Sequence, residues 1–258
     1  MNRKPQILLT NDDGIYSQGI WYLYKVLSSI GKIKVIAPQQ EMSGVSHAFT
    51  YNKPVLIDKI MLHGVACYPV KGTPADTVKI GVTQIFKKLP DFVISGINAG
   101  DNSGVSCHYS GTVAAAREGC FWKIPSLAVS VKRYDMESYK YASLIIKKMI
   151  QGINKRKIDF DSSRVFLNIN FPDCVPGRIK GIKVTRQGLS PFKDDYEQRT
   201  SPMGMPYYWV YGKKEPWFKD EEDDAFISKG FITVTPLNID NTEVDFYNKY
   251  KETEIVKC

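Results

Sequence analysis

The segment Asn11-Asp12-Asp13-Gly14 places two carboxylates side by side, directly after the short apolar run from Gln6 to Thr10. Adjacent carboxylates repel each other unless a positive charge lies beside them. A hard divalent cation with oxygen ligands supplies that charge, so the segment is a candidate metal site. Taken alone, however, it fits a solvated turn with Asp13 and Gly14 as turn residues better.

A second candidate site is the glycine-rich segment from Ser95 to Gly104, which is followed by Tyr109-Ser110-Gly111-Thr112. Its glycines let the backbone approach a ligand closely, and Ser110 opens a predicted helix whose first N–H groups point outward. A phosphate site needs both features. The segment is neither a P-loop nor a dinucleotide fingerprint, because the following Lys and the glycine spacing are missing. A glycine-rich turn with an ordinary helix cap is the alternative.

Weaker signals lie near these two segments. Ser43 beside Gly44 could offer a hydroxyl ligand and backbone N–H groups, but many surface loops share this composition. His47 and His108 could assist proton transfer, although a histidine near a site is more often a bystander. Cys107 next to His108 lacks an orienting partner that would mark it as a nucleophile.

Two further features have simple structural interpretations. The acidic run from Asp220 to Asp224 predicts a solvated loop or the approach to a helix. Trp209 and the pair Tyr207-Tyr208 could stack on a nucleobase, but aromatic residues in a strand more often pack against the protein.

The elements that position these residues alternate between strand and helix. Apolar runs predict strands, and helical spacing predicts a helix after each of the first strands, beginning at Ser17, Thr73 and Ser110. This order predicts an α/β fold with a mostly parallel sheet and helices on both faces. Because the carboxyl ends of parallel strands share one edge, the candidate loops should meet there. The predicted strands run over residues 6–10, 33–37, 91–95, 126–131 and 164–170.

The pattern changes in the last third of the chain. Short strands are predicted at 181–185, 207–211 and 231–235, and a long polar stretch from Leu189 to Pro206 separates the first two. We therefore expect a core of residues 1–175 and a C-terminal α+β segment of residues 176–258. A stretch that long without its own core often reaches onto a neighbour, which predicts an oligomer.

Composition excludes several classes of protein. The chain has 258 residues, of which 43% are hydrophobic, and a net charge of +8. These values are typical of a folded globular protein, and a nucleic-acid-binding function rests on the charge alone. The five cysteines are scattered without a C-x-x-C pair, and no apolar window is long enough to cross a membrane. We expect a reducing, cytoplasmic location with neither a membrane nor a nucleic-acid partner.

Several ordered motifs together resemble the SurE family of survival-protein phosphatases, which act as 5′- and 3′-nucleotidases. The resemblance continues past residue 176 and covers most of the chain. The motifs are Leu8 to Gly14, Ser43-Gly44, Lys71 to Asp76, Ser95 to Gly104, Tyr109 to Val113, Val184 to Gly188, Arg199-Thr200, Pro206 to Trp209 and Thr233 to Leu237.

The resemblance implies a Rossmann-like core and a metal-dependent phosphomonoesterase acting on nucleoside monophosphates. It further implies one divalent ion per subunit, Mg²⁺ or Mn²⁺, and a homodimer or homotetramer in which the C-terminal segment contacts a partner subunit. Carried over by position, the metal ligands are Asp12, Asp13, Ser43 and Asn98. Asn11 then helps to position the phosphate, and the residues around the phosphate are Asn98, Asn102, Ser110, Gly111 and Thr112.

This chain departs from the family pattern at His47-Ala48 and at Cys107-His108, which bears on substrate preference rather than on activity. Two reaction routes stay open: attack by water at phosphorus, or attack by the Asp12 carboxylate to give an aspartyl-phosphate. The missing Asp-x-Asp spacing favours water. A regulatory module that binds a nucleotide without turnover, and an RNA-binding protein, are the alternative functions.

Overall fold

One central sheet carries ten of the twelve strands in the computed structural model, which describes residues 3–215 and 219–253. The remaining two strands, β10 and β11, pair only with each other as an antiparallel hairpin. The strands are β1 (Gln6–Thr10), β2 (Lys32–Pro38), β3 (Leu56–Ile57), β4 (Ile60–Leu62), β5 (Val65–Lys71), β6 (Phe92–Ala99), β7 (Ser126–Val131), β8 (Val165–Phe171), β9 (Ile182–Val184), β10 (Phe192–Thr200), β11 (Pro206–Lys214) and β12 (Ile232–Asn238).

The strand order across the sheet is β3-β5-β2-β1-β6-β7-β8-β12-β9, and β4 also pairs with β5. Strands β5, β2, β1, β6, β7 and β8 run parallel to one another in the middle of the sheet. The antiparallel pairs lie toward the two sides, where β3 and β4 meet β5 and where β12 meets β8. The mostly parallel sheet predicted from the sequence is confirmed.

Helices cover both faces of the sheet, and β1 is accordingly buried on both sides. Ile7 and Leu9 pack on one face with residues of α1 and α5, whereas Leu8 packs on the other with residues of α2 and α4. Side chains of a strand alternate between faces, so an apolar run of this kind suits a strand that is covered on both sides. The helices are α1 (Gln18–Leu27), α2 (Pro74–Ile80), α3 (Ser106–Tyr109), α4 (Gly111–Phe121), α5 (Met136–Asn154), α6 (Asp223–Ser228) and α7 (Val244–Tyr250).

Two helix starts follow directly from local sequence. Thr73 and Asp76 form a reciprocal capping box around Pro74 at the start of α2, and the Ser110 hydroxyl accepts from Val113 N–H at the start of α4. Ser17 differs from the expected cap. It precedes α1, but its hydroxyl accepts from the Asn11 side-chain amide instead of a helix N–H.

The C-terminal segment differs from the sequence expectation in two respects. The sheet continues past residue 175, because β9 and β12 extend it beyond β8. The polar stretch from Leu189 to Pro206 also contains a nine-residue strand, β10, that the sequence reading missed. Its charged residues lack the apolar alternation of a half-buried strand, and pairing with β11 supplies the missing partner. The hairpin, rather than the whole of 176–258, therefore stands apart from the sheet.

Within residues 3–215 and 219–253, no helix combines the length and the apolar character that crossing a membrane demands.

Candidate active site

Asp12 lies at the carboxyl end of β1 and faces the N-terminus of α4. Its side chain is buried, and both of its oxygens accept hydrogen bonds from Thr112, one from the backbone N–H at 3.0 Å and one from the hydroxyl. Burial raises the pKa of Asp12, while the bonds from Thr112 oppose that rise. The carboxylate is thus fixed in place against a helix terminus that favours negative charge.

Asp13 is partly buried beside Asp12. Burial, followed by the negative charge of Asp12, raises its pKa to about 7, and a backbone hydrogen bond from Ala99 opposes the shift. Both carboxyl groups thus have raised pKa values in the protein alone, and a divalent ion bound beside them would favour the charged form of both. The electrostatics of this pair therefore fit the metal site that the sequence predicts.

Gly111 allows α4 to approach this acidic loop. A Cβ at this position would lie 2.8 Å from the Cβ of Asp12 and 3.0 Å from Pro74 Cγ. A larger residue would push the helix start away from Asp12. Gly111 acts through this close approach, which is how the structure brings it to the site.

Asn98 and Ser43 share a cavity of about 720 Å³ with Asp12. The Asn98 side-chain NH₂ donates to Gly100 C=O at 2.8 Å, which leaves the amide oxygen as the group available to a ligand. Ser43 is exposed and donates to Glu41 at 2.8 Å, so its oxygen keeps lone pairs free. The fold therefore brings oxygen donors from three separate loops to one cavity.

Asn102 and Ser110 line the same cavity. Asn102 is buried, its side chain donates to Ser130 Oγ at 2.8 Å, and its backbone N–H donates to Asn170 Oδ1 at 2.7 Å. Its carbonyl accepts from Asn168 at 2.8 Å. This network with β7 and β8 fixes the turn of the glycine-rich loop, so Asn102 presents a rigid loop to the cavity.

Asn11 and Thr112 are near the cavity but have other partners. The Asn11 side-chain NH₂ donates to Gly14 C=O at 2.9 Å and to Ser17 Oγ at 2.6 Å, which shapes the acidic loop. Asn11 Oδ1 is buried with no hydrogen-bond partner among the described residues. The backbone N–H and the hydroxyl of Thr112 both donate to Asp12 rather than facing the cavity as phosphate donors. Thr112 therefore orients Asp12.

Sequence reasoning missed the contribution of Asp223 and Asp224, which it assigned to a solvated loop. Both are buried. Asp223 accepts from the backbone N–H of Gly104 at 3.1 Å and of Gly188 at 2.8 Å, and Asp224 accepts from Ser103 Oγ at 2.6 Å. Burial raises the pKa of Asp223. Gly104 and Ser103 lie more than a hundred residues earlier and Gly188 lies 35 residues earlier, so the acidic run itself carries no signal of this role.

The sequence also does not predict which hydrophobic and aromatic residues line this cavity. Tyr109, Tyr196 and Val210 line it, together with Asp194. Tyr109 belongs to a motif singled out in the sequence, whereas Tyr196 and Val210 come from the hairpin. Side chains alternate between the two faces of a strand. Recognising β10 in the sequence would therefore have shown which hairpin residues share the face of Tyr196.

His47 and His108 contact other protein side chains, and Cys107 is buried. His47 Nε2 lies 3.0 Å from Glu118 Oε2 and its ring stacks on Phe121, which holds the Ser43 loop against α4. His108 contacts Gln187 at 2.9 Å. Burial raises the pKa of the Cys107 thiol to about 12, so a thiolate nucleophile is disfavoured, in agreement with the sequence reading.

In the described part of the chain, no group of three or more His, Cys, Asp and Glu side chains is arranged to hold a metal. The ligand set implied by the sequence has only two acids, Asp12 and Asp13, completed by the neutral oxygens of Ser43 and Asn98. Such a set suits Mg²⁺ or Mn²⁺, which bind oxygen ligands and retain several waters.

Comparison with known proteins identifies the family of the chain. The family model described as Survival protein SurE matches residues 7–194. The chain belongs to the SurE family. The resemblance predicted from the motifs is confirmed.

Two SurE relatives and one solved structure cover nearly the whole length. The 5′-nucleotidase SurE of Natranaerobius thermophilus is 37% identical over 256 residues, covering 96% of this chain and 98% of the relative. The 5′-nucleotidase SurE of Pseudothermotoga lettingae is 43% identical over 238 residues, covering 91% and 89%. The crystal structure of the SurE protein from Aquifex aeolicus superposes with a TM-score of 0.81 at 35% identity and covers 97% of this chain and 100% of its own. The α/β fold predicted from the sequence is therefore that of SurE.

Proposed function

We propose that this chain removes phosphate from nucleoside 5′- and 3′-monophosphates, as a metal-dependent phosphomonoesterase. The similarity to proteins named 5′-nucleotidase SurE supports the reaction class. The observation that carries the proposal is the meeting of Asp12, Ser43, Asn98 and the α4 N-terminus at one cavity.

Asp12, Asp13, Ser43 and Asn98 are the residues that would hold one Mg²⁺ or Mn²⁺. When bound, the ion supplies positive charge that polarises the phosphoryl group and favours an attacking hydroxide over water. The oxygen chemistry of the four side chains and the shared cavity of Asp12, Ser43 and Asn98 support this assignment.

The chain's own residues orient and stabilise the phosphoryl group. The N-terminus of α4, capped by Ser110, directs its dipole toward the cavity and favours the negative charge on the phosphoryl oxygens. Asn102 and the glycine-rich loop form a rigid wall beside it. Phosphoryl transfer depends mainly on positioning and electrostatics, which this wall and helix supply.

We propose water, rather than Asp12, as the nucleophile. Both carboxylate oxygens of Asp12 accept hydrogen bonds from Thr112. These bonds lower the electron density available for attack on phosphorus and hold the carboxylate against α4. Acid quenching during turnover should therefore trap no phosphorylated Asp12.

We propose a homodimer or homotetramer in which residues 176–258 exchange contacts with a partner subunit. The β10–β11 hairpin supports this, because its face opposite Tyr196 carries the exposed aromatic side chains of Tyr207, Trp209 and Tyr211. Exposed apolar patches of this kind are typical of interaction sites. Cys67, Cys107, Cys120 and Cys174 are free thiols, which supports a reducing, cytoplasmic location.

Phosphate release from a panel of nucleoside 5′- and 3′-monophosphates tests the activity directly. The protein is stripped with EDTA and assayed with and without Mg²⁺ or Mn²⁺, and circular dichroism confirms that it is folded. Release restored by metal supports the phosphomonoesterase. Complete inactivity of folded protein with every metal would support the alternative, a regulatory module that binds a nucleotide without hydrolysing it.

A further inference from the structure

The cavity that contains Asp12 is larger than a phosphoryl group requires. Its volume is about 720 Å³, within the range of roughly 300–1,000 Å³ that small-molecule sites occupy. If the phosphoryl group lies between Asn98 and the α4 N-terminus, the same cavity leaves room for the rest of the substrate, and Tyr109, Tyr196 and Val210 line it.

Tyr109 presents an exposed ring from a fixed backbone. The side chain is 60% exposed, and the residue directly precedes Ser110 at the start of α4. Its carbonyl accepts from Ser46 N–H at 2.9 Å, and Ser46 Oγ donates to the neighbouring His108 carbonyl at 2.6 Å. The ring is therefore held close to the phosphate-facing helix without being buried.

Tyr196 reaches the same cavity from the hairpin. It pairs directly with Val210, and directly paired residues of antiparallel strands lie on the same face. Lys214 lies four residues after Val210, on that face, and its Nζ donates to Ser103 C=O at 2.8 Å and to Ser103 Oγ at 2.9 Å. This anchor turns the Tyr196 face of the hairpin toward the glycine-rich loop.

We infer that Tyr109 and Tyr196 form a nucleobase subsite, in which the base of the substrate stacks on tyrosine rings; the inference rests on the proposed nucleotidase function. Each ring is largely exposed, at 60% and 64%, so its face is open to a ligand. Stacking on an aromatic face accepts any base, because every base has a π-face. This subsite favours nucleotides over small phosphomonoesters and discriminates weakly among bases.

The test compares a nucleotide with a substrate that lacks a base. Tyr109→Ala and Tyr196→Ala are assayed with AMP and with ribose 5-phosphate. Each should raise the KM for AMP roughly 5- to 100-fold, the range expected from losing one stacked ring, and change the kcat/KM for ribose 5-phosphate less than about twofold. Tyr196→Phe, which keeps the ring, should behave as wild type.

Tyr208→Ala is the matched control. Tyr208 is also exposed and lies on the Tyr196 face of the hairpin, but outside the cavity lining. It should leave the kcat/KM for AMP unchanged. Equal losses of kcat/KM for AMP and for ribose 5-phosphate would overturn the subsite, as would an unchanged KM for AMP in both Tyr109→Ala and Tyr196→Ala.

Binding in EDTA separates this inference from the proposed function. AMP binding to the metal-free protein is measured by calorimetry for wild type and for Tyr196→Ala. If the wild-type protein hydrolyses no nucleotide but still binds AMP more tightly than Tyr196→Ala does, the proposed activity is refuted and the nucleobase subsite is retained. Equal affinities would contradict the subsite whatever the activity.

Discussion

Lys214 and Asp224 form an ion pair with an Nζ–Oδ1 distance of 2.5 Å, and this pair joins the β10–β11 hairpin to the first turn of α6. Asp224 is nearly completely buried and Lys214 is 18% exposed at its side chain. The same ammonium group binds both oxygens of Ser103. One side chain therefore sets the position of the hairpin relative to the glycine-rich loop.

Lys214→Met should destabilise the protein, because it leaves the Asp224 carboxylate buried without its cation. We expect a loss of about 3 kcal/mol, or a fall in Tm of roughly 6–12 °C for a chain of this size, together with a lower kcat/KM. Lys213→Met is the control, since Lys213 is exposed on the other face of the hairpin. Scanning calorimetry measures the Tm of both variants. Equal Tm values for Lys214→Met and Lys213→Met would contradict the anchoring role of Lys214.

Asp13→Ala distinguishes an enzyme from a binding module. If Asp13 holds the metal, the variant should lose metal-dependent phosphate release by orders of magnitude and keep its fold. A module that only binds phosphate would retain nearly unchanged affinity for it. Phosphate release with a Mn²⁺ titration, beside phosphate binding by calorimetry, gives both quantities, and full activity in Asp13→Ala would refute the metal assignment.

Thr112→Val removes the hydroxyl that donates to Asp12 and keeps the backbone donor and the side-chain shape. Partners that orient a metal ligand are typically worth 10- to 100-fold in metal affinity or activity, so we expect a loss of about that size. Thr112→Ser keeps the hydroxyl and should restore most of the activity. The readouts are kcat and the half-saturating Mg²⁺ concentration; a Val variant that matches wild type in both would show that the backbone bond alone orients Asp12.

Glu118 should make stability depend on pH. Burial acts to raise its pKa, but hydrogen bonds from His47, Lys79 and Trp122 together with the charge of Lys79 hold it below the ordinary 4.5. Ionised Glu118 therefore stabilises the fold above that ordinary value, and the contribution disappears as the pH falls through the lower native pKa. Urea unfolding at several pH values should show Glu118→Gln less stable than wild type at pH 7, with the difference shrinking in acid.

The control for this pH series is Glu137→Gln, at an exposed position in the first turn of α5. Its free energy of unfolding should stay close to that of wild type throughout. A constant difference between wild type and Glu118→Gln down to pH 3 would mean that the carboxylate charge has no part in stability.

Cys107 should be chemically inert in the folded protein. Its thiol is buried and has a pKa of about 12, so it forms little thiolate at pH 8. Iodoacetamide should label the half-buried Cys174 before Cys107, as measured by mass spectrometry of the native protein. Cys107→Ala should retain phosphate release. A folded Cys107→Ala variant that releases no phosphate would instead indicate that the thiol acts as a nucleophile.

The core could be predicted because its signals are local. The apolar run ending at Thr10 and the caps at Thr73 and Ser110 depend on neighbours a few residues away, and the structure confirms them. The roles of Asp223 and Asp224 could not be predicted, since their partners Gly104 and Ser103 lie 119 and 121 residues earlier. The strand β10 was missed because its stabilisation comes from pairing with β11.

The contacts of Asp223 and Asp224 also bear on protein synthesis. A nascent chain that has emerged from the ribosome as far as residue 215 already carries Asp12, Asp13, Ser43 and Asn98, but it lacks the carboxylates that bind Gly104 and Ser103. The glycine-rich loop gains these contacts only when the last fifth of the chain is translated. The conformation of the glycine-rich loop therefore depends on carboxylates that are synthesised more than a hundred residues after it.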